Sequence, residues 1–467
     1  NKKLQAGTRA IERLRGNMKL TVIGGGGVRS LFLAKSIALK ARELNIDELV
    51  LMDTNDQKLE IFGSLAMEAA IRLAPHLKVS LTANVREAVR DADYVITTIR
   101  VGQDEARVAD EKIAMDLHLL PQETTGACGF SFAMRSIPVL LDYCSLIRDF
   151  AKPSVQVFNF TNPAGLVSQA LRDAGFDFTY GICDAPSGLL SQIADLKNVS
   201  VERLDMDCYG LNHLSWFPAV RLDGEDITRE LIRDDRLYHE TDMKFFEPEL
   251  VQSYQALFNE YLYYYYYREQ AVENILNAKL TRGQLIEQVN HQMIRDFSEH
   301  PERSFEERLK VFEHYYGIRE DAYMASETGK KREKAFHFDL SAPDAGGYAG
   351  VALNFIRMRQ QGYTGRMILS VPNQGSLPFL EQNDVAELSC IVDSNGVHPD
   401  PPTNFHPVAC ELIRRMKLYE RWAAEAICSR NFDLSVRALQ IHPLIESYSL
   451  AKSLAKSFFK LNEPWIK

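Results

Sequence analysis

The sequence predicts an α/β protein: a doubly wound parallel sheet followed by an α+β region. Three observations carry that prediction. A strand, a glycine turn, a helix and a second strand run from Met18 to Asp53. Short apolar runs then keep alternating with helical patterns to about residue 195, where the alternation stops.

In the first unit, Leu20 to Ile23 reads as a buried strand and is followed by Gly24, Gly25, Gly26 and Gly27. Leu31, Ala34, Ile37, Ala38 and Ala41 have helical spacing, and the apolar run Leu49 to Met52 ends in Asp53. This is the order of a Rossmann-type dinucleotide-binding unit. Glycines let the backbone approach a pyrophosphate, amides at the helix start bind it, and the acid accepts ribose hydroxyls. The four glycines, Val28 and Asp53 are therefore candidate cofactor contacts. A tight turn with no ligand is the bland alternative, and the complete unit outweighs it. Arg29 or Ser30 stands where a third spaced glycine is expected, and Arg29 suits a ligand phosphate. Asp53 favours NAD over NADP because it repels a 2′-phosphate.

Further strands are expected at Val79 to Thr82, Tyr94 to Ile99, Val155 to Phe160 and Phe178 to Ile182, with helices between them. Ligands of such sheets sit beyond the carboxyl ends of the strands. Asp53, Arg100, Asn162, Cys183 and Asp184 all fall there. The expected domains are a Rossmann-like domain over 18–195 and an α+β substrate and oligomerisation domain over 196–467, which should close over the ligand end. Within the latter, Asp223-Gly224 reads as a hairpin turn, Leu250 to Ile318 as long helices, and Arg319 to Asp339 as an exposed polar loop.

A chain of 467 residues is long enough for two or three domains. Its net charge of −9 argues against nucleic acid or an anionic membrane as the main partner. No apolar run reaches the roughly 18 residues of a membrane span. Residues 1–17 are a basic extension without the apolar core of a signal peptide, and Met18 is an alternative start. The seven cysteines show no CxxC spacing and read as buried thiols of a cytoplasmic enzyme.

Cys183 and His213 lie 30 positions apart, in ICDAP and GLNHLSW. A thiolate, an imidazole and open positions for substrate oxygens suit a divalent transition metal. Spacing alone leaves a buried cysteine and a hydrogen-bonded histidine ahead. Asp184 is a general acid, an outer-shell metal partner or a helix N-terminal acid, and Arg100 either pairs with an anion or forms a surface salt bridge. In the run Tyr261-Leu262-Tyr263-Tyr264-Tyr265-Tyr266-Tyr267, residues 261, 264 and 265 share a face, which packing explains. The alternative is that one of them acts as a base, with a nearby cation lowering its pKa.

Together IGGGGVRS, TTIRVGQDEAR, QETTG, NFTNPAGLV, ICDAP, YGLNHLSW, EYLYYYYYR and VPNQG resemble glycoside hydrolase family 4, the NAD- and metal-dependent glycosidases. QETTG, FTNPAG and GLNHLSW are most similar to its 6-phospho-β-glucosidase branch. The resemblance implies that Cys183 and His213 bind a divalent metal, typically Mn²⁺. It implies that Asn162 and Glu123 hold sugar hydroxyls, that His213 lies against the substrate and that Arg100 contacts substrate beside the cofactor. Tyr261 becomes the base, Asp184 a second catalytic candidate, and a homodimer or homotetramer the expected assembly. The implied chemistry is oxidation at C3, deprotonation at C2, elimination of the aglycone, addition of water and re-reduction. No carboxylate pair is needed.

Two departures stand out. ICDAP carries Asp184 where the β branch usually has Asn and the α branch Asp. The stretch from Pro343 to Tyr348 lacks the arginine of an RGG segment. If that arginine recognises phosphate, Arg29 and Arg100 are the candidates to replace it. The competing readings are a family 4 enzyme for an α-linked, unphosphorylated or uronic-acid sugar, a 2-hydroxy-acid dehydrogenase, and a non-catalytic NAD-bound sugar sensor.

Overall fold

The computed structural model describes residues 18–330, 335–342 and 347–465. Parallel strands β1 (Met18–Ile23), β2 (Ile46–Met52), β3 (Lys78–Thr82), β4 (Tyr94–Thr97), β5 (Gln156–Asn159) and β6 (Thr179–Gly181) form the expected doubly wound sheet in the order β6-β5-β4-β1-β2-β3. The helix Ser30–Leu44 follows the glycine turn and buries Leu31, Ala34, Ile37, Ala38 and Ala41. Strands β1 and β2 are buried at their carboxyl ends, which is why they read as continuous apolar runs.

The C-terminal half is α+β, in two parts. Three small-sheet strands, β7 (Leu204–Met206), β10 (Val220–Leu222) and β11 (Glu225–Asp226), include the hairpin at Asp223-Gly224, both with positive φ. Strands β8 (Tyr209–Leu211), β9 (Leu214–Phe217) and β12 (Leu257–Phe258) form a second three-stranded sheet. Then β13 (Gly365–Pro372), β14 (Val385–Val392) and β15 (Val397–Pro399) return antiparallel to the first sheet beside β6, giving nine strands. The large sheet therefore runs across the boundary expected at residue 195. Pairing aligns Thr82, Met52, Ile23, Thr97, Asn159, Gly181, Ser370 and Glu387 in one transverse row.

Three expectations need correction. The exposed loop over Arg319 to Asp339 is in part structured: Arg319 lies in the last turn of the helix Phe305–Asp321, and Ala325–Thr328 is helical. Its lysines and arginine at 331, 332 and 334 lie outside the described residues, as do Pro343 to Gly346 and residues 1–17. The helical stretch from Leu250 is broken by β12 and a 3₁₀ turn at Glu260–Leu262. One helix, Ala127–Phe150, is long and apolar enough to span a membrane despite the charges at Arg135 and Asp142. It instead packs inside the protein, with Cys128, Phe130, Ile137, Leu140 and Cys144 fully buried.

Candidate active site

A cleft of about 1310 Å³ opens beyond the carboxyl ends of β1, β4, β5 and β6. Gly27, Val28, Arg29, Arg100, Glu123, Asn162, Cys183, Asp184, His213 and Tyr261 all line it. Residues from chain positions almost 240 apart thus meet in one cavity. Gly24, Gly25, Gly26 and Asp53 are not among its lining residues.

The glycine turn explains that division. Gly24 and Gly25 donate to Met52 O, Gly27 donates to Gly24 O, and Gly26 donates to Asp53 Oδ2 at 3.0 Å. Gly24 has φ +103°, and a Cβ there would fall 2.4 Å from Thr98 O, so only glycine fits. The four amides thus fold the turn, which presents Gly27, Val28 and the Arg29 side chain to the cleft. Asp53 also accepts from Asn55 N at 3.0 Å. Each of its oxygens keeps a second lone pair for a hydroxyl. Burial raises its pKa. A glycine-cornered turn at a strand end, ahead of a helix and beside an acid, fits a dinucleotide.

QETTG builds the opposite wall. Gln122 Oε1 accepts from the amides of Thr124 and Thr125 at 2.7 and 2.6 Å and from Thr124 Oγ1 at 3.0 Å. With its hydroxyl donating to Gln122, Thr124 accepts from His213 Nδ1–H, 3.2 Å away. The lone pair of His213 therefore sits on Nε2. Burial pushes the imidazole pKa down to about 4, so the ring is neutral at physiological pH. A neutral imidazole with Nδ1 tied is the usual form of a metal-binding histidine. Burial, with Glu387 and Asp184 adding, holds the Cys183 thiol well above its usual range, so a cation would displace its proton. This donor pair fits a divalent transition metal that takes its remaining ligands from substrate. Among the described residues no group of three or more His, Cys, Asp or Glu is arranged to hold a metal by itself.

Glu123 Oε2 accepts from Arg100 Nη1 at 2.6 Å and forms an ion pair with Arg107 Nη1 at 3.0 Å. These two arginines overcome its burial and keep it ionised well below the usual carboxylate range. Arg100 is thus committed to Glu123, and the pair faces the cleft as one fixed unit. Asn162 Oδ1 accepts from Ala164 N at 3.3 Å.

Tyr261 begins the tyrosine run inside the 3₁₀ turn, and its ring lies flat on His213, centroids 3.7 Å apart and 5° from parallel. Tyr264 also lines the cleft, whereas the Tyr265 hydroxyl reaches Met416 Sδ at 3.7 Å. Burial drives the Tyr261 pKa well up, so a base at this position needs a cation beside it. Asp184 occupies the N-cap position of the helix Ala185–Lys197 without capping it, and lies 3.9 Å from Arg29 Nη1.

Sequence reasoning missed Arg319, Tyr323 and Glu260, which also line the cleft. Burial first, then Arg29 nearby, lowers Arg319 to about 10. Tyr323 donates to Glu260 Oε1 at 3.3 Å, and burial with Asp242 close by raises Glu260 to about 8. Polar residues that line a cleft carry the same pattern as an exposed loop, so no sequence signal separated them.

Residues 19–199 match the model for family 4 glycosyl hydrolase, and residues 208–445 match that for the family 4 glycosyl hydrolase C-terminal domain. The chain belongs to glycosyl hydrolase family 4. Within the family it is 28% identical over 454 residues to the 6-phospho-beta-glucosidase BglT of Thermotoga maritima, covering 96% of this chain and 100% of BglT. The 6-phospho-beta-glucosidase of Escherichia coli K12 is also 28% identical, over 96% of each chain. The Thermotoga maritima 6-phospho-beta glucosidase solved with manganese, NAD⁺ and glucose-6-phosphate matches at TM-score 0.79 and 26% identity, over 97% of this chain and all of its own. A 6-phospho-alpha-glucosidase from gut microorganisms shares the fold at TM-score 0.80 and 22% identity, so the fold is common to both anomeric types.

Proposed function

We propose that this family 4 glycosidase cleaves 6-phospho-β-glucosides with NAD and a divalent cation, most simply Mn²⁺. The observation that carries the reading is the stacking of Tyr261 on His213 in the cleft that also receives Cys183, Glu123 and the glycine turn. Relatives of full length named for this activity, one of them solved with all three small molecules, support it.

When bound, the dinucleotide would exchange a hydride at the sugar C3 and the cation would polarise the neighbouring oxygens. Cys183 and His213 Nε2 would hold that cation, and Gly27 and Val28 would face the dinucleotide. Tyr261, held parallel to the metal-binding ring, takes the proton from C2, and the aglycone leaves from C1 by elimination. Glu123, fixed by Arg100 and Arg107, accepts a sugar hydroxyl at a set position together with Asn162. Arg29 and Arg319, close enough for Arg29 to help lower the pKa of Arg319, bind the phosphate; Arg100 is spent on Glu123. Asp184 is paired with Arg29 and plays no acid role for the β-anomer.

Turnover in D₂O tests the chemistry. Glucose-6-phosphate released from a 6-phospho-β-glucoside carries deuterium at C2 on this account. Product without deuterium at C2 would rule out the elimination route.

A further inference from the structure

The β8–β9 hairpin places His213 at the second position of a two-residue turn, with φ +61°. A left-handed residue other than glycine persists where its surroundings hold it. The surroundings here converge on one residue, Glu387 of β14, which is 2% exposed. Its Oε2 accepts from Asn212 Nδ2 at 3.2 Å, and its Oε1 accepts from Ser215 Oγ at 2.8 Å. The two donors bracket His213 on either side in the chain.

The same carboxylate reaches Tyr261 by a second path. Asn259 Nδ2 donates to Ser215 Oγ at 3.4 Å, Asn259 N donates to Ser215 O at 3.1 Å, and Asn259 Oδ1 accepts from Tyr261 N at 3.1 Å. Glu387 thus fixes the backbone that carries the imidazole and, through Ser215 and Asn259, the turn that carries the phenol stacked on it. Register ties it to Cys183 as well. Glu387 pairs with Ser370, and Ser370 with Gly181, two residues before Cys183.

We propose that Glu387 is a positioning residue: one buried carboxylate on the antiparallel extension of the sheet sets His213 and Tyr261 relative to each other. The proposal rests on the reading of His213 as a cation ligand and Tyr261 as the base. A carboxylate suits this place because both neighbours donate to it and neither needs to accept. Supporting partners of this kind typically change metal affinity or activity by about 10–100-fold when removed.

The test compares Glu387→Leu, Glu387→Gln and Ser215→Ala with the wild-type enzyme by Mn²⁺ titration calorimetry, NAD⁺ binding and steady-state kinetics. Glutamine keeps the shape and one acceptor, and Ser215 can turn to accept from its amide. E387L is expected to weaken Mn²⁺ binding about tenfold or more and to lower kcat, while NAD⁺ affinity and KM stay near wild type. E387Q is expected to recover most of both losses. S215A, which removes the side-chain link toward Tyr261 but leaves Asn212 on Glu387, is expected to lower kcat more than Mn²⁺ affinity.

Wild-type Mn²⁺ affinity and kcat in both E387L and S215A would overturn the proposal, and so would losses in E387Q equal to those in E387L. Should E387L fail to fold, S215A and E387Q decide. His213→Ala separates this outcome from failure of the functional reading: unchanged Mn²⁺ binding there overturns the reading itself.

Discussion

The imidazole of His213 and the phenol of Tyr261 lie face to face, 3.7 Å between centroids and 5° from parallel. One ring comes from a hairpin turn of the small β8–β9–β12 sheet, the other from the 3₁₀ turn after β12. The contact couples the two proposed roles. A cation held on Nε2 would be bound to the ring stacked on the phenol that burial otherwise keeps protonated, and an adjacent cation favours the phenolate.

Tyr261→Phe removes the hydroxyl and keeps the stack. On this account kcat falls by about 10²–10⁴-fold, the range for loss of a general base, while Mn²⁺ affinity measured by calorimetry stays near wild type. Loss of Mn²⁺ binding together with kcat would show that the phenol serves the cation rather than C2.

Arg29→Ala is expected to raise KM for a 6-phosphorylated substrate by about tenfold or more, the value of one charge-assisted hydrogen bond. NAD⁺ affinity should not move. A loss of NAD⁺ affinity with KM unchanged would assign Arg29 to the dinucleotide instead.

Asp184→Asn distinguishes the two branches of the family. Cleavage of the β-anomer should survive it within about tenfold, whereas an α-cleaving enzyme that used Asp184 as its acid would lose about 10²–10⁴-fold.

Away from the cleft, His442 is buried against Tyr419 and accepts from Leu444 N at 3.1 Å. Burial first, with Arg415 adding, lowers its pKa to about 3 in the folded protein. The unfolded chain, with a histidine pKa near 6.5, binds the proton first as pH falls. The stabilising contribution of the neutral ring is therefore complete above about pH 6.5 and shrinks by about 1.4 kcal/mol per unit as pH drops toward 3. Chemical denaturation at pH 7 and pH 5 should show a smaller loss of stability in His442→Gln than in wild type. Equal losses would place the acid sensitivity elsewhere.

The parallel half of the sheet was legible because its strands are short apolar runs separated by helical patterns, and the glycine turn marks its own position. The cleft residues Arg100, Asn162, Cys183 and Asp184 were legible from the rule that places ligands beyond strand ends. The return of β13 to β15 was not, because it depends on pairing Ser370 with Gly181, 189 positions earlier. Glu387 was invisible for a related reason. A glutamate inside the strand Val385–Val392 reads as a solvent-facing position until β8 and β9 pack over it. Thr124 was quoted within a motif, yet its role on His213 needs the fold to bring residues 89 positions apart into contact.

The most direct measurement is release of p-nitrophenol from the α- and β-glucosides, each with and without a 6-phosphate, in NAD⁺, Mn²⁺ and a thiol reductant. The account predicts cleavage of the 6-phospho-β-glucoside alone, abolished by chelation and restored by Mn²⁺. Cleavage that persists without NAD⁺ and metal, or that favours the α-anomer or the unphosphorylated sugar, would contradict it.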